Sequence, residues 1–358
     1  MKEIRKNRLL AISSSLLKSV ALRGLLLTMF LPLTAMAYEV TVADVNGNEL
    51  TYSYDSADGP ATFTRIKTYS ADAAKAGHIV IADRVTDSDD NSHDVLYISG
   101  YVSNRYDIVS IVFGQNIIAT GGADGTSSDA FYNCKKLESV TLNSKLQILG
   151  QYTFQACSNL TSINLGEATS LTEIRKQCFE NCDRLRSLVL PKSVTTLGDA
   201  VFDNCDSLRT FTFADGSALT AIPYNTFAGC GSLQKITIPD GVKTIGQGAF
   251  YYDQSLTEIT FGTGLTEFAN DYYMFYNCPL TKMVLPGANF PFKREYALAD
   301  GIVLYVHPDL FDTYRNSDYT KNCRVIPIGQ QTVIAVTTDA GGQLGGKIEA
   351  QGDPNNVL

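Results

Sequence analysis

The feature that most restricts this chain is a short motif, Phe-x-x-Cys, that returns at two alternating intervals. It stands as AFYNC ending at Cys134, TFQAC at Cys157, CFENC at Cys182, VFDNC at Cys205, TFAGC at Cys230 and MFYNC at Cys278. A seventh copy, AFYYD, carries Asp253 in place of the cysteine. The phenylalanines, at 131, 154, 179, 202, 227, 250 and 275, are separated by 23, 25, 23, 25, 23 and 25 residues. Gly150, Gly198 and Gly246 recur every 48 residues. Self-similarity at a fixed period of this size marks a repeat architecture, and the alternation implies a duplicated two-turn unit.

A second pattern, Leu-x-x-φ-x-φ with φ apolar, follows each motif. It runs from Leu137-Val140-Leu142 through Leu208-Phe211-Phe213 to Leu280-Met283-Leu285, with an earlier copy at Ile108-Ile111-Phe113. Its last four residues alternate with period two, which predicts a short strand with one face inward. Strands are expected near 139–143, 162–166, 187–191, 210–214, 235–239, 258–262 and 282–286. A third segment places Ile245, Ala249 and the motif's fourth position on one side, which predicts a short helical turn. A unit of this length cannot bury its own apolar stripe, but stacked copies can, because each inward residue meets its equivalent in the coils above and below. The expected fold class is an α/β repeat solenoid of parallel strands and short helical turns, right-handed by the rule for parallel crossovers.

On these residues the chain resembles the BspA-type leucine-rich-repeat surface proteins, whose repeats read much like SLQKITIPDGVKTIGQGAF at 232–250. The resemblance covers about 107–328. It departs at Asp253, at an insertion near Ala119 to Ser128, and at extra residues from Asn270 to Tyr273. It implies an exported cell-surface adhesin, whereas the spacing by itself implies only a solenoid.

The flanks differ from the repeats. Residues 1–37 begin with Lys2, Arg5, Lys6 and Arg8, continue into an apolar run from Gly24, and end in Ala35-Met36-Ala37. That is the layout of a signal peptide cleaved after Ala37, so the protein is expected to be secreted or surface-held. No later stretch is long and apolar enough to predict a membrane span. Cleavage removes six basic residues and Glu3, which takes the formal charge from −8 to −13. A chain this acidic repels phosphate backbones, so nucleic acid is not an expected partner. Residues 38–106 alternate as strands and are expected to form an N-terminal β cap, with the repeats over 107–287. Residues 288–329 are expected to form a strand–helix C-terminal cap, with Phe311 and Tyr314 on the helix. Residues 330–358, with Gly341-Gly342 and Gly345-Gly346, read as a linker and the start of a further module.

Little in the sequence points to catalysis. His78, His93 and His307 are far apart, and neither His-Glu-x-x-His nor Gly-x-Ser-x-Gly occurs. No enzymatic activity, metal or cofactor is expected. Six of the eight cysteines occupy the motif column. Equivalent cysteines in adjacent coils would lie about 5 Å apart, within bridging distance, but with parallel Cβ bonds that do not suit a disulfide. They are therefore expected as free buried thiols. The segment Asp87-Ser-Asp-Asp-Asn-Ser-His-Asp94 lacks the glycine and distal glutamate of an EF-hand loop and reads as a hairpin turn. The most unusual group is Tyr251, Tyr252, Tyr272, Tyr273 and Tyr276, on two adjacent coils. Tyrosine gives large contact area at little rotamer cost and is enriched at binding hot spots, so these five are the candidate ligand-binding residues for an extracellular protein or glycan. Two alternatives remain open at this point: a passive spacer, and an accessory module of a larger surface protein or secreted glycan-processing enzyme.

Overall fold

The computed structural model describes residues 38–99, 102–123, 129–269, 273–292 and 298–329. The expected signal peptide and the 330–358 module lie outside the described residues. The chain forms a β-solenoid of about nine coils, with mostly parallel strands and little helix.

Each coil contributes two strand limbs and one turn limb. The first strand limb is the Leu-x-x-φ-x-φ segment: Ser110–Val112, Ser139–Thr141, Ser162–Ile163, Ser187–Leu190, Thr210–Phe213, Lys235–Thr237, Glu258–Thr260 and Lys282–Leu285. Every pairing among these segments is parallel and keeps the repeat register, as in Leu188↔Phe211 and Ile236↔Ile259. The second limb is a two-residue strand, such as Thr196–Leu197 or Thr244–Ile245, that pairs with its copies in neighbouring coils. Directly after the second limb, Gly198 and Gly246 touch the coil before them. A Cβ on Gly198 would lie 2.3 Å from the Lys176 nitrogen, and one on Gly246 would lie 2.5 Å from the Pro223 carbonyl carbon. Only glycine permits that backbone-to-backbone approach, which explains the 48-residue recurrence.

The helical turn expected in the third segment does not form. In coil after coil the residue two before the phenylalanine has positive φ (Asp129, Tyr152, Gln177, Ala200, Asn225, Gly248). So does the residue before the cysteine position (Asn133, Ala156, Asn181, Asn204, Gly229, Tyr252, Asn277). Two left-handed residues four apart prevent a right-handed helix. The backbone donors go to the next coil instead: the N–H of Phe154 donates to the Cys178 carbonyl, Phe179 to Val201, Phe202 to Thr226 and Phe227 to Ala249. This limb is a stack of turns hydrogen-bonded between coils.

Inside, the phenylalanines form one column. Successive rings from Phe131 to Phe275 lie 5.5–5.9 Å apart and within 21° of parallel. Those from Phe131 to Phe250 are fully buried. At about 1.5–3 kcal/mol for each large buried apolar side chain, this column and the strand leucines and isoleucines around it supply the main force holding the coils together.

At the N-terminal end, Tyr38–Ala43, Glu49–Tyr54 and Ala61–Thr68 form an antiparallel meander. Ser92–Ile98 joins it in parallel and leads into the second-limb ladder. The parallel stack begins at His78–Val80, which pairs with Ser110–Val112. At the other end Val303–Val306 and Arg324–Pro327 extend the first-limb ladder in parallel, and the short helix Phe311–Arg315 lies between them. Tyr314 is buried against Phe290, and Phe292 stacks on Tyr319, so aromatic rings close that end of the core.

The strand ladders are not continuous. First-limb pairing stops between Ser162–Ile163 and Ser187–Leu190, and again between Thr210–Phe213 and Lys235–Thr237. Both breaks follow 25-residue intervals, whose two extra residues lie just after the strand at 166–170 and 214–218. At the second break the other strand limb also loses its pairing, between Thr196–Leu197 and Ala221–Ile222. The turn limb is unbroken there: Ala200, Phe202 and Asn204 still donate to Tyr224, Thr226 and Ala228.

Candidate functional site

The turn limbs of the coils carrying Phe250 and Phe275 bring the tyrosines together. Tyr251 and Tyr252 follow Phe250 directly, and Tyr276 follows Phe275, so the repeat itself stacks these positions. Tyr252 donates its backbone N–H to the Tyr276 carbonyl at 2.9 Å. The Tyr251 ring stacks on Tyr276 at 5.6 Å and meets Tyr252 edge-on at 4.5 Å, while Tyr273 stands edge-on to Tyr251 and to Tyr276 at 5.9 Å from each. Tyr252, Tyr273 and Tyr276 are 39%, 39% and 52% exposed. Four of the five sequence candidates thus form one contiguous aromatic surface, and Tyr272 lies outside the described residues.

The residue after Tyr252 is Asp253, the one that breaks the cysteine column. It is fully buried; Oδ1 accepts the Cys230 N–H at 2.8 Å, and Oδ2 has no hydrogen-bond partner. Burial drives its pKa well above the carboxylate range.

All eight cysteines are free. The sequence suggested small apolar packing, and the structure adds a polar role. Five of the Sγ atoms in the motif column donate to the phenylalanine carbonyl of the preceding coil: Cys157 to Phe131, Cys182 to Phe154 and Cys205 to Phe179 at 3.2 Å, Cys230 to Phe202 at 3.3 Å, and Cys278 to Phe250 at 2.8 Å; Cys134, at the start of the column, donates to the Val102 carbonyl. Burial pushes the Cys134 thiol up to about 12 and the half-buried Cys323 thiol to about 11. Thiolates are therefore scarce at neutral pH, and the native column is expected to resist alkylation. After denaturation without reductant, a thiol reagent is expected to find all eight. Fewer than three would show a disulfide framework instead.

The Asp87 turn joins the antiparallel strands Arg84–Thr86 and Ser92–Ile98. Its carboxylate is occupied internally, accepting from the Asp89 and Asn91 N–H groups and from the Asn91 side chain, with His93 Nε2 at 3.4 Å. Among the described residues no group of three or more His, Cys, Asp or Glu side chains is placed to hold a metal. No described helix is long and apolar enough to cross a membrane.

A coil of parallel strand, short strand and turn around a leucine and phenylalanine core defines a leucine-rich-repeat solenoid. The sequence matches the BspA type leucine rich repeat region in six copies over residues 110–231 and 172–300, more than half the chain, and the protein belongs to that family. The family's repeats serve as interaction scaffolds that are generally non-enzymatic, and its proteins are typically exported or surface-held. Similar solved structures include a leucine-rich repeat protein from Bacteroides ovatus ATCC 8483, at 20% identity and TM-score 0.59, covering 78% of this chain and 66% of that one. The chain thus spans just under two thirds of that relative. Another is a leucine rich cell surface protein from Faecalibacterium prausnitzii A2-165, at 18% identity and TM-score 0.41, covering 82% and 96%. No curated protein sequence matches this chain.

Proposed function

We propose that this chain is an exported surface protein that binds an extracellular protein or glycan of a host or matrix through its tyrosine surface. The observation that carries the reading is the packing of Tyr251, Tyr252, Tyr273 and Tyr276 into one partly exposed cluster. Rings held against one another lose little further freedom when a ligand covers them, so less of the contact energy is spent on ordering. The cluster also lies where the repeat rule is broken, by Asp253 within the same coil and by the extra residues before Phe275. Local departures from an otherwise regular pattern are where function is expected.

Changing Tyr251, Tyr252 and Tyr273 to serine is expected to weaken binding to extracellular-matrix extract, captured with the mature protein, by tenfold or more, about 1.4 kcal/mol. The melting temperature is expected to stay near that of the parent. Unaltered binding with a large loss of stability would instead make the cluster a packing element of the C-terminal coils.

A further inference from the structure

The tyrosine cluster stands in an uncharged part of the turn face. Across 224–232, 247–255 and 273–279, in the turn limbs of three successive coils, the only Asp, Glu, Lys, Arg or His is the buried Asp253. The two coils before them carry four charged residues over 176–184 and three over 199–207. Ala228, Ala249 and Met274, the aliphatic side chains of the three limbs apart from Pro279, are buried. What the limbs expose is mainly phenol ring and carboxamide: Tyr224, Tyr252, Tyr273 and Tyr276, with Gln254 and Asn277.

Two positions are shaped for more than packing. Tyr252 has φ 63°, and the same left-handed position in the other coils holds four asparagines, one glycine and one alanine. Asparagine and glycine tolerate that region, whereas a bulky ring resists it. The ring is open to solvent, so core packing does not account for the strain, and strain of this kind collects at binding sites. Four residues earlier, Gly248 has φ 65°, and a Cβ there would overlap Asn225 Oδ1 and lie 3.8 Å from Tyr251 Cβ. The missing side chain sets the Asn225 amide at the foot of the Tyr251 side chain.

This chemistry selects among ligands. An ionic ligand needs charge of the opposite sign, and these limbs expose neither sign. A protein partner is commonly met by arginine and methionine beside the aromatics, and neither is exposed here. A neutral sugar needs what is present. Its C–H bonds carry partial positive charge that suits the negative face of an aromatic ring, and its hydroxyls both donate and accept. A carboxamide answers both roles through its nitrogen and its oxygen. The rings occur on three consecutive coils, from Tyr224 to Tyr276, and so extend along the stack. That arrangement fits a chain of sugars better than a single one.

We propose that the tyrosine surface binds a linear, uncharged polysaccharide, with sugar faces on the rings and hydroxyls on the amides. This rests on the reading of the cluster as the binding surface and narrows its ligand. The test presents the full chain with arrayed neutral glucans, mannans and galactans, beside sulfated and uronic-acid polysaccharides. Matrix extract is tested in parallel, before and after protease treatment. Tyr252→Asn restores the residue found in four other coils, and Tyr276→Gln restores the one that follows Phe154, so both are expected to keep the parent's circular dichroism. At least one neutral polysaccharide is expected to be captured in preference to the charged ones, and in soluble form to compete with matrix extract. The two tyrosine replacements together are expected to weaken that capture about tenfold or more. Asn225→Gly, which suits the left-handed backbone but removes the amide, is expected to weaken it about threefold or more.

Capture of no neutral polysaccharide, equal capture of charged ones, or capture indifferent to both tyrosine replacements would overturn the proposal. Matrix binding that the replacements weaken, protease destroys and no polysaccharide displaces would make the partner a protein. The sugar assignment then fails while the tyrosine surface stands. Matrix binding indifferent to the replacements would remove the surface itself, and this inference with it.

Discussion

Phe202→Ala is expected to destabilise the solenoid by about 3–5 kcal/mol, the range for deleting a large aromatic from a tight core. The Phe202 ring is fully buried, stacked between Phe179 at 5.6 Å and Phe227 at 5.7 Å, with Phe211 edge-on at 5.0 Å. Its position gives the substitution a second consequence. Both strand ladders are interrupted between its coil and the next, so the phenylalanine column and the turn-limb hydrogen bonds carry that junction. In a stack whose stability is a sum of coil and nearest-neighbour terms, weakening the least-paired junction is expected to divide unfolding into two transitions. Phe154→Ala, at a junction whose turn limb and second strand limb both remain paired, is expected to lose stability with less loss of cooperativity. Urea unfolding followed by circular dichroism measures both effects. A loss below about 1 kcal/mol, or one sharp transition with an unchanged slope, would show that the column does not hold the seam.

Asp253→Cys is expected to raise stability at neutral pH by about 1–3 kcal/mol, the cost of a buried polar group left without a partner. In neighbouring coils the residue at this position is a cysteine whose Sγ donates to a phenylalanine carbonyl, as Cys230 does to Phe202 and Cys278 to Phe250. A thiol at 253 would reach Phe227 in the same way. The Cys230 N–H keeps a partner without the aspartate, since it also approaches the Phe227 carbonyl at 3.0 Å.

The pH dependence distinguishes this cause from simple repacking. Burial raises the native pKa of Asp253, so above about 3.9, where an unfolded aspartate ionises, the native state holds a proton that the unfolded state has released. Stability is therefore full below that pH and falls as pH rises, by up to about 1.4 kcal/mol per unit, until the native pKa is passed. Asp203, raised to about 6 by burial and by Glu180, gives a slope of the same sign that ends near that value. The difference in melting temperature between parent and Asp253→Cys is expected to widen from pH 4 to pH 7. A difference independent of pH would mean that Asp253 is ionised in the native state.

Much of this was legible in the residues. A period-two pattern repeated in register located the first residue of each of the seven expected first-limb strands and overran their ends by one to three residues, because an alternating segment can bury one face only as a strand. The cysteine column was readable as free thiols for a similar reason, since stacked copies point their Cβ bonds the same way. The turn limb was not. Ile245 and Ala249 satisfy a helical period, and periodicity cannot tell a short helical turn from left-handed turns four residues apart. The asparagines and glycine at Asn133, Asn181, Asn204, Gly229 and Asn277 were the available signal, because those residues tolerate positive φ. Asp253 was visible as an exception, but its orphaned oxygen was not.

The sequence by itself determined that the chain is a stack, how long each coil is, and which side chains face inward. A coil that cannot bury its own stripe has no other stable outcome. The tertiary structure decided where the stack is closed and where it parts. The two breaks in the first ladder follow equal 25-residue intervals, yet at one a short turn with buried Leu165 and Ala168 packs into the junction, and at the other the strands Thr210–Phe213 and Lys235–Thr237 run side by side without ladder hydrogen bonds beneath a surface basin. That difference arises from how side chains of two coils fit against each other, and a linear pattern records which residues those are but not the shape they leave between them.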